Sequence, residues 1–302
     1  MDRRTFLKTW AGFSFGLAGA ELALPTKAKC KMVAPIADVV AKIWLDRRIK
    51  VNLQKIKQAH PGLKMGDTHC HSVFSDGTYT VPQILHRASD LGLDFLILTE
   101  HVMPRLYPFE FCMASMKESW RVVQEWNHGK QAPVEIYPAF EVSTLQGHMI
   151  LVLDPHFFKP GKSRDLVTQF SRLSEKMVTL EETAKLVQAL GGISILPHPD
   201  IPRSYPFGVP IEFAKQHLMG LVDGIEDIST GHGYEESYSE ELGMASIGSS
   251  DDHFNIIIGT SVTGYDSSRH HDLISAVKAR GTQAIKVERT IDEFMAAARL
   301  VL

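Results

Sequence analysis

Cysteine is scarce: Cys30, Cys70 and Cys112 are the three among 302 residues, and no two form a Cys-x-x-Cys pair. That excludes a disulfide framework and a thiolate zinc finger, so a bound metal must rest mainly on histidine and carboxylate. A basic excess is also missing. Lys and Arg number 32 against 35 Asp and Glu, for a net charge of −3, which leaves no global positive field for nucleic acid or an anionic membrane. The chain lacks a Lys/Arg-rich stripe or an aromatic-basic stacking platform for single strands, and no glycine-rich dinucleotide or phosphate loop appears. Low-complexity linkers and internal repeats are absent. What remains is the composition of an ordinary soluble globular chain, long enough to bury a sizeable core.

The first thirty residues read as address rather than fold. Arg3-Arg4-Thr5-Phe6-Leu7-Lys8 resembles a twin-arginine export signal. A mildly apolar run from Thr9 to Ala20 follows, and Ala18-Gly19-Ala20 offers a small-residue cleavage site. The run is shorter than the ~20 apolar residues that span a bilayer. Cys30 lacks the lead-in of a lipid-modified cysteine. The expectation is a signal over residues 1–20, use of the twin-arginine machinery, and a mature protein in the periplasm or outside the cell, with no stable membrane span.

Beyond the signal, Ala34 to Ala59 has helical spacing, with Ile36, Val39, Val40, Ile43 and Trp44 on a stripe. His60-Pro61-Gly62 closes it, so residues 21–63 read as a linker and a helical strap. From residue 64 to 302, apolar strands alternate with amphipathic helices, among them Asp165–Met177, Tyr234–Leu242 and Ile291–Leu300. Strands are expected at Asp94–Thr99, Val134–Phe140, Met149–Leu153, Ile193–Leu196, Gly224–Ile228, Ala245–Gly248 and Gln283–Val287. The alternation predicts a single α/β domain of βα repeats, and a barrel suits it better than an open sheet.

Within this frame the ionisable residues gather at strand ends. Asp67-Thr68-His69-Cys70-His71-Ser72 puts two imidazoles on one strand face. Ser75-Asp76-Gly77 reads as the turn that follows. Glu100-His101, Glu141, His198 between two prolines, and Asp251 with His253 each close an apolar strand, while His148 opens one after Gln146-Gly147. In a parallel βα barrel, carboxyl ends of strands share one face, and that face carries the active site. His86, His128, His156, His217, His270 and His271 fall on helices or loops and read as surface or packing residues. His60 and His232 stay open.

Taken together, His69-x-His71 with Ser75-Asp76-Gly77, Thr99-Glu100-His101, Glu141, His148, Pro197-His198-Pro199 and Ser250-Asp251-Asp252-His253 resemble the PHP (polymerase and histidinol phosphatase) family. These are metal-dependent phosphoesterases on a distorted, usually seven-stranded βα barrel. The resemblance implies three divalent transition-metal ions (Zn, Mn or Fe). His69, His71, Glu141 and Asp251 would hold the first, Glu141 would bridge to a second held by His148 and His198, and Asp76, His101 and His253 would hold the third. Glu100 departs from the Asp usual before this His, which would alter the contact behind His101. Asp252 replaces a small spacer and would tighten the site mouth.

Three carboxylate ligands against three divalent ions leave the cluster positive, so the substrate is expected to be a small anionic molecule and nucleic acid is not an expected partner. The implied reaction is phosphoester hydrolysis by metal-activated hydroxide. Arg105 and Arg203, in loops after strand ends, are candidate phosphate clamps. Two other readings stand beside it. The segment from Glu141 to His148 resembles a branch that includes a carbamate-ester hydrolase, so ester or amide cleavage is the alternative, and a non-catalytic metal-binding protein is the second.

Overall fold

The computed structural model describes residues 26–129, 134–159, 161–201 and 207–290. The expected signal over residues 1–20, the closing helix at 291–300 and Arg203 lie outside these described residues. Two compact units divide the chain, residues 1–48 and 49–302. Helix α1 (Thr26–Ala59) starts earlier than its apolar stripe. Its last turns, from Ile49, belong to the second unit, where Ile49 and Leu53 are buried. There Asn52 donates to the Val287 carbonyl at 2.9 Å, and Lys57 pairs with Asp94 at 2.8 Å. Among the described residues no helix is long and apolar enough to cross a membrane.

The second unit alternates strands with helices. The elements run β1 (Leu63–Cys70), α2 (Val81–Leu91), β2 (Phe95–Leu98), β3 (His101–Val102), α3 (Phe109–Gly129), β4 (Glu135–Ile136), β5 (Ala139–Ser143) and β6 (His148–Val152). They continue with α4 (Lys162–Phe170), α5 (Leu180–Ala189), β7 (Ile193–Leu196), α6 (Ile211–His217), β8 (Gly224–Ser229) and β9 (Tyr234–Glu235). The last are α7 (Tyr238–Leu242), β10 (Ala245–Ser249), β11 (Ser261–Asp266), α8 (Leu273–Lys278) and β12 (Thr282–Lys286). Helix starts follow local chemistry. Thr80 and Gln83 form a capping box at α2, and Thr179 and Glu182 form one at α5.

The strands form two hydrogen-bonded sheets. A five-stranded sheet has the order β12-β11-β1-β2-β4, and a seven-stranded sheet has the order β10-β8-β7-β6-β5-β3 with β9 on β8. Among the described residues these ladders do not close into one ring, although a parallel bridge from Cys70 to Asp252 links the sheets beside the site. Inward residues of both sheets share one apolar cluster that includes Phe95, Ile97, Ile150, Ile195, Ile247 and Tyr265.

Pairing is less uniformly parallel than the βα alternation predicts. β5 and β6 are antiparallel, with Glu141 opposite Ile150 and Ser143 opposite His148. The link between them, Thr144 to Gly147, is too short for the crossover that parallel strands need. Gly147 adopts φ +143°, and a Cβ there would stand 2.9 Å from the Phe207 carbonyl. β11, which periodicity does not disclose, runs antiparallel to β1 and β12. The expected helix over Tyr234–Leu242 is split, with β9 preceding α7. The helix expected over Asp165–Met177 is likewise shorter, ending at Phe170 before a 3-10 turn at Ser171–Ser174.

Candidate metal centre

One face of the strands carries apolar residues at one end and ionisable residues at the other. On β1 the same alternation that buries Met65 presents Asp67 and then His69. His71 follows one residue beyond the strand, its N–H donating to the Asp252 carbonyl at 2.9 Å. Glu141 lies in the middle of β5 rather than at its end, flanked by His101 on β3. His148 opens β6, so the hairpin delivers Glu141, Ser143 and His148 to one side. His198 and Asp251 leave their strands with left-handed backbones, φ +31° and +51°. That conformation is uncommon for residues with a Cβ and clusters where the chain must aim a functional group.

The nine expected ligands meet in overlapping groups: His71, Asp76, His101 and His253; His69, His198 and Asp251; His69, His71 and Glu141; His101, Glu141 and His148. In the first seat, His69 Nε2 and His71 Nε2 are 3.1 Å apart. Each stands 3.2 Å from Asp251 Oδ1. Glu141 Oε2 lies 3.3 Å from His69 Nε2 and 3.4 Å from His71 Nε2. Donors ~2.0 Å from a tetrahedral ion stand about 3.3 Å from one another, so these spacings suit a divalent metal. Asp251 Oδ1 is buried and has no hydrogen-bond partner among the described residues. Such an orphaned carboxylate oxygen between two imidazole nitrogens fits a cation.

The remaining donors share this framework. Glu141 Oε1 faces His148 Nδ1 at 2.6 Å and His198 Nε2 at 3.0 Å. Its Oε2 lies 3.1 Å from His101 Nδ1, so one buried carboxylate touches five imidazoles. Asp76 Oδ2 reaches His101 Nε2 at 3.4 Å, and Oδ1 reaches His253 Nε2 at 3.3 Å. Asp76 is 34% exposed on its side chain, which makes this seat the open one.

Charge and burial compete throughout. Burial pushes Glu141 and Asp251 towards neutrality, yet the surrounding imidazoles hold both carboxyls well below their usual range. The same balance sets Asp76, held down by His253 and His101. Burial opposes charge on His253, but the Asp76 carboxylate wins and raises it to about 9. His69 and His101 are raised by their carboxylate neighbours against the same opposition. His71 goes the other way, to about 3, through burial and repulsion from His253 and His101.

Several residues behind the ligands were not marked by the sequence pattern. Glu226, within β8, lies 2.8 Å from His69 Nδ1. A carboxylate accepts, so His69 Nδ1 carries a hydrogen, and a metal that displaced the proton from Nε2 would meet that nitrogen's lone pair facing the seat. Ser249 Oγ donates to Glu226 at 2.6 Å, and the His198 N–H donates at 2.8 Å. His232 Nε2 lies 2.6 Å from Asp251 Oδ2. Asp67 accepts N–H groups of Gly259, Ser250 and His69, and burial still lifts its carboxyl to about 7.

Two expectations need correction. Among the described residues no hydrogen bond or ion pair joins the Glu100 carboxylate to His101; it accepts the hydroxyls of Ser75 at 2.6 Å, Ser115 at 2.8 Å and Ser72, and the Ser72 N–H. Its extra methylene thus ties the ligand loop to α3. Asp252 does not narrow the mouth: it is buried and accepts the Ile256 and Ile257 N–H groups at 3.0 Å, ordering the loop past His253. Arg105 is exposed with a left-handed backbone, φ +70°.

No family model and no curated protein matches the chain. Solved structures do. A two-domain protein of Bacteroides vulgatus containing a predicted PHP-like metal-dependent phosphoesterase is 20% identical, with a TM-score of 0.53 over 74% of this chain. The match covers 66% of that protein, so the chain spans just under two thirds of its length. PsfC of Pseudomonas syringae is 16% identical, covering 80% of this chain and 97% of its own, TM-score 0.49. Endonuclease Q, solved with a 27-mer duplex substrate carrying an abasic lesion, is 14% identical, covering 73% of this chain and 58% of its own, TM-score 0.45. The similarity to the Bacteroides protein is one of fold: the second unit has a PHP-like fold.

Proposed function

We propose that the chain is a metal-dependent phosphoesterase of the PHP type, acting on a small phosphorylated molecule at a centre of three divalent ions. The observation that carries this reading is the first seat, where buried His69, His71, Glu141 and the orphaned Asp251 Oδ1 converge at tetrahedral spacing. His148 and His198 with Glu141 would hold the second ion, and Asp76, His101 and His253 the third. Bound Zn, Mn or Fe would supply an activated water and positive charge for the substrate's oxygens. The chain's own part is to keep Glu141 and Asp251 ionised and the lone pair of His69 turned inward. The same reading takes the two sheets as halves of a distorted seven-strand βα barrel with a helical strap.

A second reading, hydrolysis of a neutral ester or amide, is favoured by one observation. Among the described residues no Lys or Arg pairs with a centre carboxylate; Glu141, Asp76 and Asp251 face histidines. Turnover of metal-loaded protein on phosphomonoesters, phosphodiesters, nucleotides, esters and amides separates the two. The phosphoesterase reading expects phosphoester turnover and competitive inhibition by inorganic phosphate. Activity confined to neutral esters, without phosphate inhibition, would replace it with the second. The proposal includes export through Arg3 and Arg4, tested by changing both to Lys: retention inside the cell supports it, and normal export rejects it.

A further inference from the structure

Beside the six imidazoles of the centre lies a seventh, that of His232, on a loop shaped to bring it there. The ladder between β8 and β10 continues past its last paired residues: the Thr230 N–H donates to the Ser249 carbonyl at 3.2 Å, and the Gly231 N–H to the Ser250 carbonyl at 2.8 Å. A Cβ on Gly231 would stand 2.6 Å from the Ser250 carbonyl oxygen, so only glycine lets the loop approach this closely. Gly233, at φ +66°, turns the chain away again. His232 between them is set alongside Asp251, with Nε2 2.6 Å from Oδ2. Its ring lies 4.7 Å from that of His198.

The two oxygens of Asp251 therefore have different surroundings. Oδ2 accepts from His232, while Oδ1 has no hydrogen-bond partner among the described residues and faces His69 Nε2 and His71 Nε2. An aspartate carboxylate turns readily about its Cβ–Cγ bond, so which oxygen of Asp251 faces the seat depends on what grips the other. We propose that His232 is a positioning residue, locking Asp251 Oδ2 so that Oδ1 alone faces the first seat. The inference rests on the reading that Asp251 holds a metal there. Without the imidazole, the carboxylate is free to turn about its Cβ–Cγ bond, and the first seat loosens while the other two keep their donors. Partners that hold a ligand from behind typically set metal affinity by about 10- to 100-fold.

The test is a zinc(II) titration of metal-free full chain against a chromophoric chelator, comparing wild type, His232→Ala, His232→Gln and each change in an Asp251→Asn background. Thermal unfolding of the metal-free forms checks that they fold. His232→Ala should weaken one zinc site at least 10-fold and leave the others unchanged. His232→Gln should recover most of that loss, since its Nε2 can donate from nearly the same place. In the Asp251→Asn background, removing His232 should cost less than 3-fold. Unchanged affinity in His232→Ala, a Gln variant no better than Ala, or an equal loss in the Asp251→Asn background overturns the proposal and leaves the metal centre standing. Should His232→Ala fail to fold, the Gln variant decides: affinity within 3-fold of wild type supports the role, and a loss as large as that of Asp251→Asn rejects it. Wild type that takes up no zinc refutes the metal centre and the proposal with it.

Discussion

His69, His71, Glu141 and Asp251 form the dry corner of the centre, where even Asp251 is only 8% exposed. Asp76, His101 and His253 are 34%, 12% and 25% exposed. The two seats use the same kinds of donor, so burial is what distinguishes them. In the dry seat, unpaired lone pairs cannot turn to water, so losing a bound cation would leave them uncompensated. In the open seat water can take the ion's place. The dry seat is thus suited to holding a metal permanently, and the open one to exchanging ligands with solvent and substrate.

The strongest way to break this contrast is Glu141→Ala. That carboxylate touches imidazoles of all three seats, so metal content should fall at more than one seat and turnover should drop at least 1000-fold, about 4 kcal/mol. Full occupancy by elemental analysis would remove the bridging role. Asp76→Asn should act on the open seat alone, with one ion weakened and two retained. Phosphoester turnover should fall at least tenfold, about 1.4 kcal/mol. Unimpaired phosphoester turnover would show that the open seat is not used in the reaction.

A pH experiment sharpens the same contrast. In the metal-free chain His253 keeps its proton up to about 9, against an ordinary value of 6.5, because Asp76 faces it. A metal at the open seat must displace that proton, so its affinity should rise with pH until about 9, with proton release on binding measured by calorimetry in two buffers. The stability linkage has the opposite sign. A raised folded-state pKa stabilises the metal-free chain fully below 6.5, and that contribution is lost as pH rises through about 9. Metal-free protein should therefore melt earlier across this window, and metal-loaded protein should not. The smallest effect is expected from His271→Ala. That ring is 82% exposed and meets Asp272 from the surface, so stability should stay within about 0.5 kcal/mol and metal content should be unchanged.

Much of this was legible because it is local. Alternation along β1 places His69 with Met65 and Asp67 on one face whatever the rest of the chain does, and Gln146-Gly147 announces the turn before His148. Apolar runs likewise mark β2, β7 and β10 as buried strands. β11 escapes a periodicity reading because Ser261–Asp266 offers mostly small or polar residues, and its burial is owed to β1 and β12 on either side. β9 is hidden in a helical pattern because two residues carry no period.

The candidate donors and the apolar alternation beneath them can be read along the chain, since each depends on neighbours within a few residues. Which side chains stand behind those donors follows from the fold. Glu226 meets His69 across 157 positions of chain and His232 meets Asp251 across 19, through strand register and loop closure that no local period encodes. The outcomes at Glu100 and Asp252 have the same origin. A carboxylate's chemistry is fixed by its residue type, but a buried one turns to whichever donors the fold brings within reach, here serines for Glu100 and two backbone N–H groups for Asp252.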